Sequence, residues 1–190
     1  MKQIRQYTLT GVVPIMMHSG QLADPLNRWS KAIKAISGKR MKTEADHEEM
    51  ARLEWFGSLY LDNGSPCIPG IAMQATLINA SKTLKKGPKA KAGLLCETNF
   101  PLVYDGPADP QKLWLDERFR DRTAMVVQQA RVMRTRPVFP EWSATIAIAF
   151  NDELLNIADV DAFVAIGGHT IGLLESRPRF GRYQSQVITN

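Results

Sequence analysis

Hydrophobic patterning changes period along this chain in one order, and that order narrows the fold more than any single motif. Residues 3–17 read as a strand, with Ile4, Tyr7, Leu9, Val12, Val13, Ile15 and Met16 as apolar or β-forming positions. Pro14 places an edge or a bulge late in that strand, and His18-Ser19-Gly20 ends it. A helix spans Ile71 to about Leu84, with Ile71, Ala75, Ile78 and Leu84 on one face. Met125 to Arg136 reads as a strand and Trp142 to Phe150 as its neighbour, with Ala144, Ile146, Ile148 and Phe150 sharing a face. A helix over Ile157 to Ile166 follows, capped by Asn156, and Tyr183 to Ile188 is a last strand. Strand, helix, strand, strand, helix, strand is the order of two split β-α-β units. The expected fold is therefore α+β: a ferredoxin-like arrangement, in which two core helices back a four-stranded antiparallel sheet. That architecture hosts many sheet-surface RNA binders, but a fold alone licenses no function.

The remaining segments read as insertions into one domain spanning 1–190. Leu26, Trp29, Ile33 and Ile36 keep helical spacing until Gly38, and Thr43 caps a second helix from Glu44 to about Trp55. Residues 21–56 thus form a helical insertion. Phe56 to Leu61 is a short strand-like run closed by the turn Asp62-Asn63-Gly64-Ser65. Residues 93–123, with Pro101, Gly106, Pro107 and Pro110, read as a long loop with short strand pieces. A hydrophobic share of 44% supports a packed core. No apolar run approaches the roughly 18 residues of a membrane span, and the N-terminus has no signal-peptide pattern. A cytoplasmic protein without membrane contact is expected. Cys67 and Cys96 form no metal-ligand spacing with the histidines and are expected to stay thiols; no metal and no cofactor are expected.

Charge is distributed unevenly. The net charge of +5 is compatible with a polyanionic partner. Lys82, Lys85, Lys86, Lys89 and Lys91 fall in one stretch, which reads either as a phosphate clamp or as a solvated loop. Arg131, Arg134 and Arg136 fall in another; Arg134 and Arg136 share a strand face, where they suit RNA on an open sheet or salt bridges to the acidic insertion. The densest signal is the tail, Gly167-Gly168-His169-Thr170-Ile171-Gly172-Leu173-Leu174-Glu175-Ser176-Arg177-Pro178-Arg179-Phe180-Gly181-Arg182-Tyr183. Amides at Gly167, Gly168 and Gly172 can form an anion-binding concavity. Arg177, Arg179 and Arg182 can neutralise phosphates, His169 lies among them, and Phe180 offers a face on which a base can stack. The competing reading makes Gly167-Gly168 a helix C-cap with solvated arginines.

Two of these stretches carry a resemblance. Ile68-Pro69-Gly70, followed by a helix containing Met73, Thr76 and Leu77, is similar to the entry into the first core helix of the RAMP superfamily, which supplies CRISPR effector subunits. Ile171-Gly172 through Phe180-Gly181-Arg182-Tyr183 is similar to that family's glycine-rich loop, with Arg179 where the loop usually has glycine. The resemblance is strongest to the backbone subunits, of which this chain would be a diverged or minimal member or a stand-alone relative carried by a phage or mobile element. It implies a non-catalytic subunit that binds guide RNA and assembles along it with copies of itself and other effector subunits. It also implies that the fold is an RRM-like palm, that 21–56 is a fingers-like subdomain and that 93–123 is a thumb-like loop touching the next subunit; Trp114, flanked there by Leu113 and Leu115, is the best candidate for a partner contact.

Two alternatives remain open. One is a phage protein that binds single-stranded nucleic acid outside CRISPR. The other is a RAMP-type RNA-processing endonuclease using His18 or His169. No acid and base are paired at readable spacing, so no catalytic residue is assigned. Trp29, Trp55, Trp114 and Trp142 read as core or interface anchors before stacking platforms.

Overall fold

A computed structural model of the chain describes residues 1–127 and 129–189. In chain order the strands are β1 (Lys2–Gly11), β2 (Ile15–Met16), β3 (Leu61–Asp62), β4 (Ser65–Ile68), β5 (Leu94–Leu95), β6 (Phe100–Pro101), β7 (Arg120–Val127), β8 (Ala130–Phe139), β9 (Ser143–Asn151) and β10 (Tyr183–Val187). The α-helices are α1 (Arg28–Ser37), α2 (Glu44–Ser58), α3 (Gly70–Thr83), α4 (Gly87–Gly93), α5 (Pro110–Leu115) and α6 (Ile157–Ile166).

A four-stranded sheet in the order β10-β1-β9-β5 is antiparallel at every step. Alternation along β1 assigns its faces. Tyr7 and Leu9 are buried, and Arg5 and Tyr7 reach the carboxylate of Asp161 on α6, the tyrosine donating at 2.6 Å. The opposite residues, Ile4, Gln6 and Thr10, are exposed. Ile146, Ile148 and Phe150 of β9 close on Val160, Phe163 and Val164 of α6 and on the inner face of α3. Each such side chain contributes about 1.5–3 kcal/mol when fully buried.

The α3 face differs from the expected one. Ile71 is 81% exposed and Leu84 42%, whereas Met73, Thr76, Leu77 and Ala80 are buried. Those four positions also keep helical spacing, and the small Thr76 and Ala80 permit close approach where Ile71 cannot. α6 begins with a reciprocal capping box between Asn156 and Asp159, and α2 with one between Thr43 and Asp46.

Several other expectations are corrected. Residues 3–17 are not one strand: β1 stops at Gly11, and β2 joins a second sheet of order β2-β8-β7. Met125 to Arg136 is not one strand either, but part of a hairpin in which β7 and β8 pair from Arg120↔Pro137 to Val127↔Ala130. Trp142 to Phe150 does not neighbour it; β9 lies between β1 and β5. Phe56 to Ser58 complete α2, so only Leu61 of the expected 56–61 run enters a strand. The lysine stretch holds a helix, α4, rather than a loop. Residues 93–123 include β5, β6, α5, a 3-10 turn at Glu117–Phe119 and the start of β7. The insertion at 21–56 is helical, built from a 3-10 turn (Gly20–Ala23), α1 and α2.

Candidate nucleic-acid interface

The backbone of the glycine-arginine tail is held through its glycines. Gly167–Ile171 extends α6 by one wide π-type turn, closed by Gly172 N–H donating to Gly167 C=O at 2.8 Å. Gly167 N–H donates back to Phe163 and Val164. Two of the three amides expected to cradle an anion are therefore used inside the turn. Gly167 and Gly168 are buried against Tyr183, and a Cβ on Gly168 would lie 2.2 Å from the Tyr183 carbonyl oxygen. Gly181, at φ +75°, leaves only 2.1 Å between such an atom and the Leu173 carbonyl oxygen. The glycines permit backbone-to-backbone contact within the chain.

The cations of the same loop point the other way. His169, Arg177, Arg179 and Arg182 are exposed, and Phe180 is half-buried. Arg177 reaches Thr76 Oγ1 at 3.5 Å, and the Arg179 guanidinium lies 5.8 Å from the Phe180 ring centre. Among the described residues, the ion pairs engage none of the three arginines. The loop lies along the chain that follows β1: Val12 N–H donates to Arg182 C=O, Gly181 N–H to Pro14 C=O, and Glu175 N–H to Met16 C=O. Since β2 pairs with β8 on its other side, the loop, β2 and the hairpin stand side by side.

Arg134 and Arg136 are not on the open face of the four-stranded sheet. Both belong to β8, where Arg134 pairs with Glu54 of α2 at 3.0 Å and Arg136 with Glu175 at 3.1 Å. The expected salt bridge to the insertion fits Arg134, whereas Arg136 is bridged to the glycine-arginine loop instead. The lysines are also set apart from the arginine loop. Lys86 pairs with Asp159 in the first turn of α6 and holds that carboxyl below its usual range, while Lys82 reaches Asn79 at 2.9 Å. Lys85, Lys89 and Lys91 are exposed around α4. The glycine turn starts at the other end of α6, ten residues long, or about 15 Å away at 1.5 Å per residue.

The open face of the sheet is short of both charge and aromatic rings. Register stacks Gln184, Thr10 and Ser143 in one row, Gln186, Thr8 and Thr145 in the next, and Ile4, Ala149 and Leu95 further along. Among the described residues in register on that face the one cation is Lys2, opposite Asn151, and it already pairs with Glu97; no aromatic ring there would stack a base. The tryptophans offer little more. Trp55 and Trp142 are buried. Trp29 stacks on Phe56 with Arg28 above it at 4.4 Å, and Trp114 meets Trp55 edge-on with Arg120 over it at 4.7 Å. Trp114 is half-buried and packs on Trp55 while also lining a surface groove.

His18 sits half-buried, its Nδ1 3.3 Å from Ser58 Oγ, and Tyr60 O–H donates to its backbone carbonyl. Burial first, then the nearby positive charge of Arg136, pushes its pKa down. Burial also lifts the thiols of Cys67 and Cys96, to about 11 and about 12. Among the described residues no cluster of three or more His, Cys, Asp or Glu side chains could hold a metal ion. No helix among them is long and apolar enough to cross a membrane.

What sequence reasoning missed is the hairpin as an arm. Arg122, Val126, Arg131 and Met133 are exposed along it, Val126 at 71%. A groove of about 730 Å³ separates it from α2, lined by Glu48, Glu49, Arg52, Trp114, Arg120 and Arg122. The sequence between the two strands lacks the Asn-Gly or Asp-Gly signature that would have announced a hairpin. No model of a known protein family matches the chain, and no curated protein matches it.

Proposed function

We propose that this chain is a non-catalytic subunit that binds single-stranded RNA and assembles with copies of itself along a guide, on a ferredoxin-like palm of the RAMP type. One observation carries the reading. Three exposed arginines, without acidic partners among the described residues, stand on a loop whose backbone is locked by its own glycines. Such cations are pre-positioned, so binding a phosphate chain needs little ordering of the loop. The strand order β10-β1-β9-β5, with α3 and α6 on one face, supports the palm. The open face, whose Lys2 is already paired to Glu97, favours a strand path over the loop and the arm instead of across the sheet.

The phage single-strand-binding alternative uses the same surface and differs only in its partner. The processing-enzyme alternative draws on His18 or His169; burial lowers the pKa of His18 and so favours its neutral imidazole, the form that can act as a base. Loss of RNA cleavage in His18→Ala would favour that alternative.

The test is single-stranded RNA affinity against salt. Log affinity is expected to fall by about 0.7 per phosphate contact for each unit of log salt. Replacing Arg177, Arg179 and Arg182 together by alanine should lower that slope by about 2 and weaken binding on every sequence. Unchanged affinity in the triple variant would remove the loop from the site.

A further inference from the structure

β8 loses its neighbour part-way along. β2 pairs with it only at Val138 and Phe139, and Met17 N–H donates to Pro137 C=O at 2.9 Å. From Arg136 outward, two carboxylates take the place of a strand. Glu54 of α2 accepts Arg134 at 3.0 Å with one oxygen and the Thr135 N–H at 2.9 Å with the other. Glu175 of the arginine loop accepts Arg136 at 3.1 Å. Three successive residues at the root of the arm are thus held from two different elements. Beyond them both faces of the hairpin are largely exposed, and an unsupported two-stranded hairpin is marginal in water. Its direction is set at its root.

Glu175 is the one acid between Gly167 and Tyr183, and it stands two residues from Arg177. Charge alone makes it unhelpful in a phosphate-binding loop. Its geometry is nonetheless tightly specified. Leu174 and Ser176 on either side adopt left-handed conformations, φ 60° and 56°, which cost non-glycine residues about 1–3 kcal/mol each. Arg136 is 7% exposed, and its Nε finds no partner among the described residues. Glu175 is therefore the carboxylate that answers a buried guanidinium.

We propose that Glu175 is a positioning residue that couples the arginine loop to the β7–β8 arm, so that the two grip a nucleic-acid strand as one unit. This rests on the nucleic-acid reading above, and the effect it forecasts opposes simple electrostatics. Removing an acid from a basic site should tighten binding. Coupling forecasts the reverse: Glu175→Gln should bind single-stranded RNA roughly fivefold or more weakly.

The test has two readouts. In the free protein, Glu175→Gln should speed amide exchange in 120–127 and 130–136 while leaving β1 and β9 protected. With a single-stranded RNA oligonucleotide, Arg122→Ala with Arg131→Ala should weaken the wild type but add nothing in the Glu175→Gln background. Glu175→Asp keeps the charge and shortens the reach, so it should behave like Glu175→Gln. Wild-type-like exchange in the arm, or equal or tighter RNA binding by Glu175→Gln or Glu175→Asp, overturns the proposal. If the wild type binds no RNA, the nucleic-acid reading fails, while arm exchange still decides whether Glu175 holds the arm.

Discussion

Tyr183 accounts for more of the C-terminal stretch than its arginines do. It is 3% exposed, and the turn after α6 closes against both its ring and its backbone. The glycines at 167 and 168 are the residues that fit there. Gly168→Ala would bring a Cβ within 2.2 Å of a backbone oxygen that cannot rotate away. Overpacking of this kind costs about 1–3 kcal/mol. The melting temperature should drop by roughly 3–10 °C for a domain of this size. Gly20→Ala serves as the comparison, since nothing lies within 4 Å of its Cβ position, and it should melt close to wild type. Equal melting of the two variants in a thermal scan would show that the turn yields more easily than the contacts imply.

At the scale of elements, legibility followed locality. α6 was readable to the residue because Asn156 caps it and its apolar stripe sits in regular spacing. The helical character of 21–56 was readable for the same reason. Pairing was not readable, because β9 answers β1 from more than 130 residues away along the chain, and nothing local in Ser143–Asn151 names its partner. β5 is only Leu94–Leu95, too short to leave a period. Of the candidate site, the loop arginines were legible as charge, but the inward role of the glycines depended on Tyr183 being opposite them. The lysines looked like one patch with them only because distance in space is hidden in sequence. With a screening length of about 8 Å at physiological salt, exposed charges some 15 Å off contribute little. Lys85→Gln, Lys89→Gln and Lys91→Gln together should change RNA affinity less than about twofold at that ionic strength. A loss matching that of the arginine triple variant, in the same anisotropy titration, would extend the interface to α4.

For the molecule as a whole, the open sheet face carries little charge, while the exposed loop arginines at one end of α6 stand beside the arm that bears Arg122 and Arg131. An interface over that loop and arm suits a protein that covers a long strand by repetition. On RNA of increasing length, the mass measured by size-exclusion light scattering should rise in steps of one 21.3 kDa chain, with a footprint repeating at a fixed interval. A strictly one-to-one complex on long RNA would count against assembly along a guide.

The inward glycines and outward arginines of residues 167–183 also bear on how such a chain can change over generations. Mutations at 177, 179 and 182 meet solvent, whereas mutations at 167, 168 and 181 meet backbone. Grip strength can therefore drift through three codons while the folded state stays under separate selection. A library randomised at those three positions should consist mostly of foldable proteins graded in affinity, which makes this short stretch unusually evolvable.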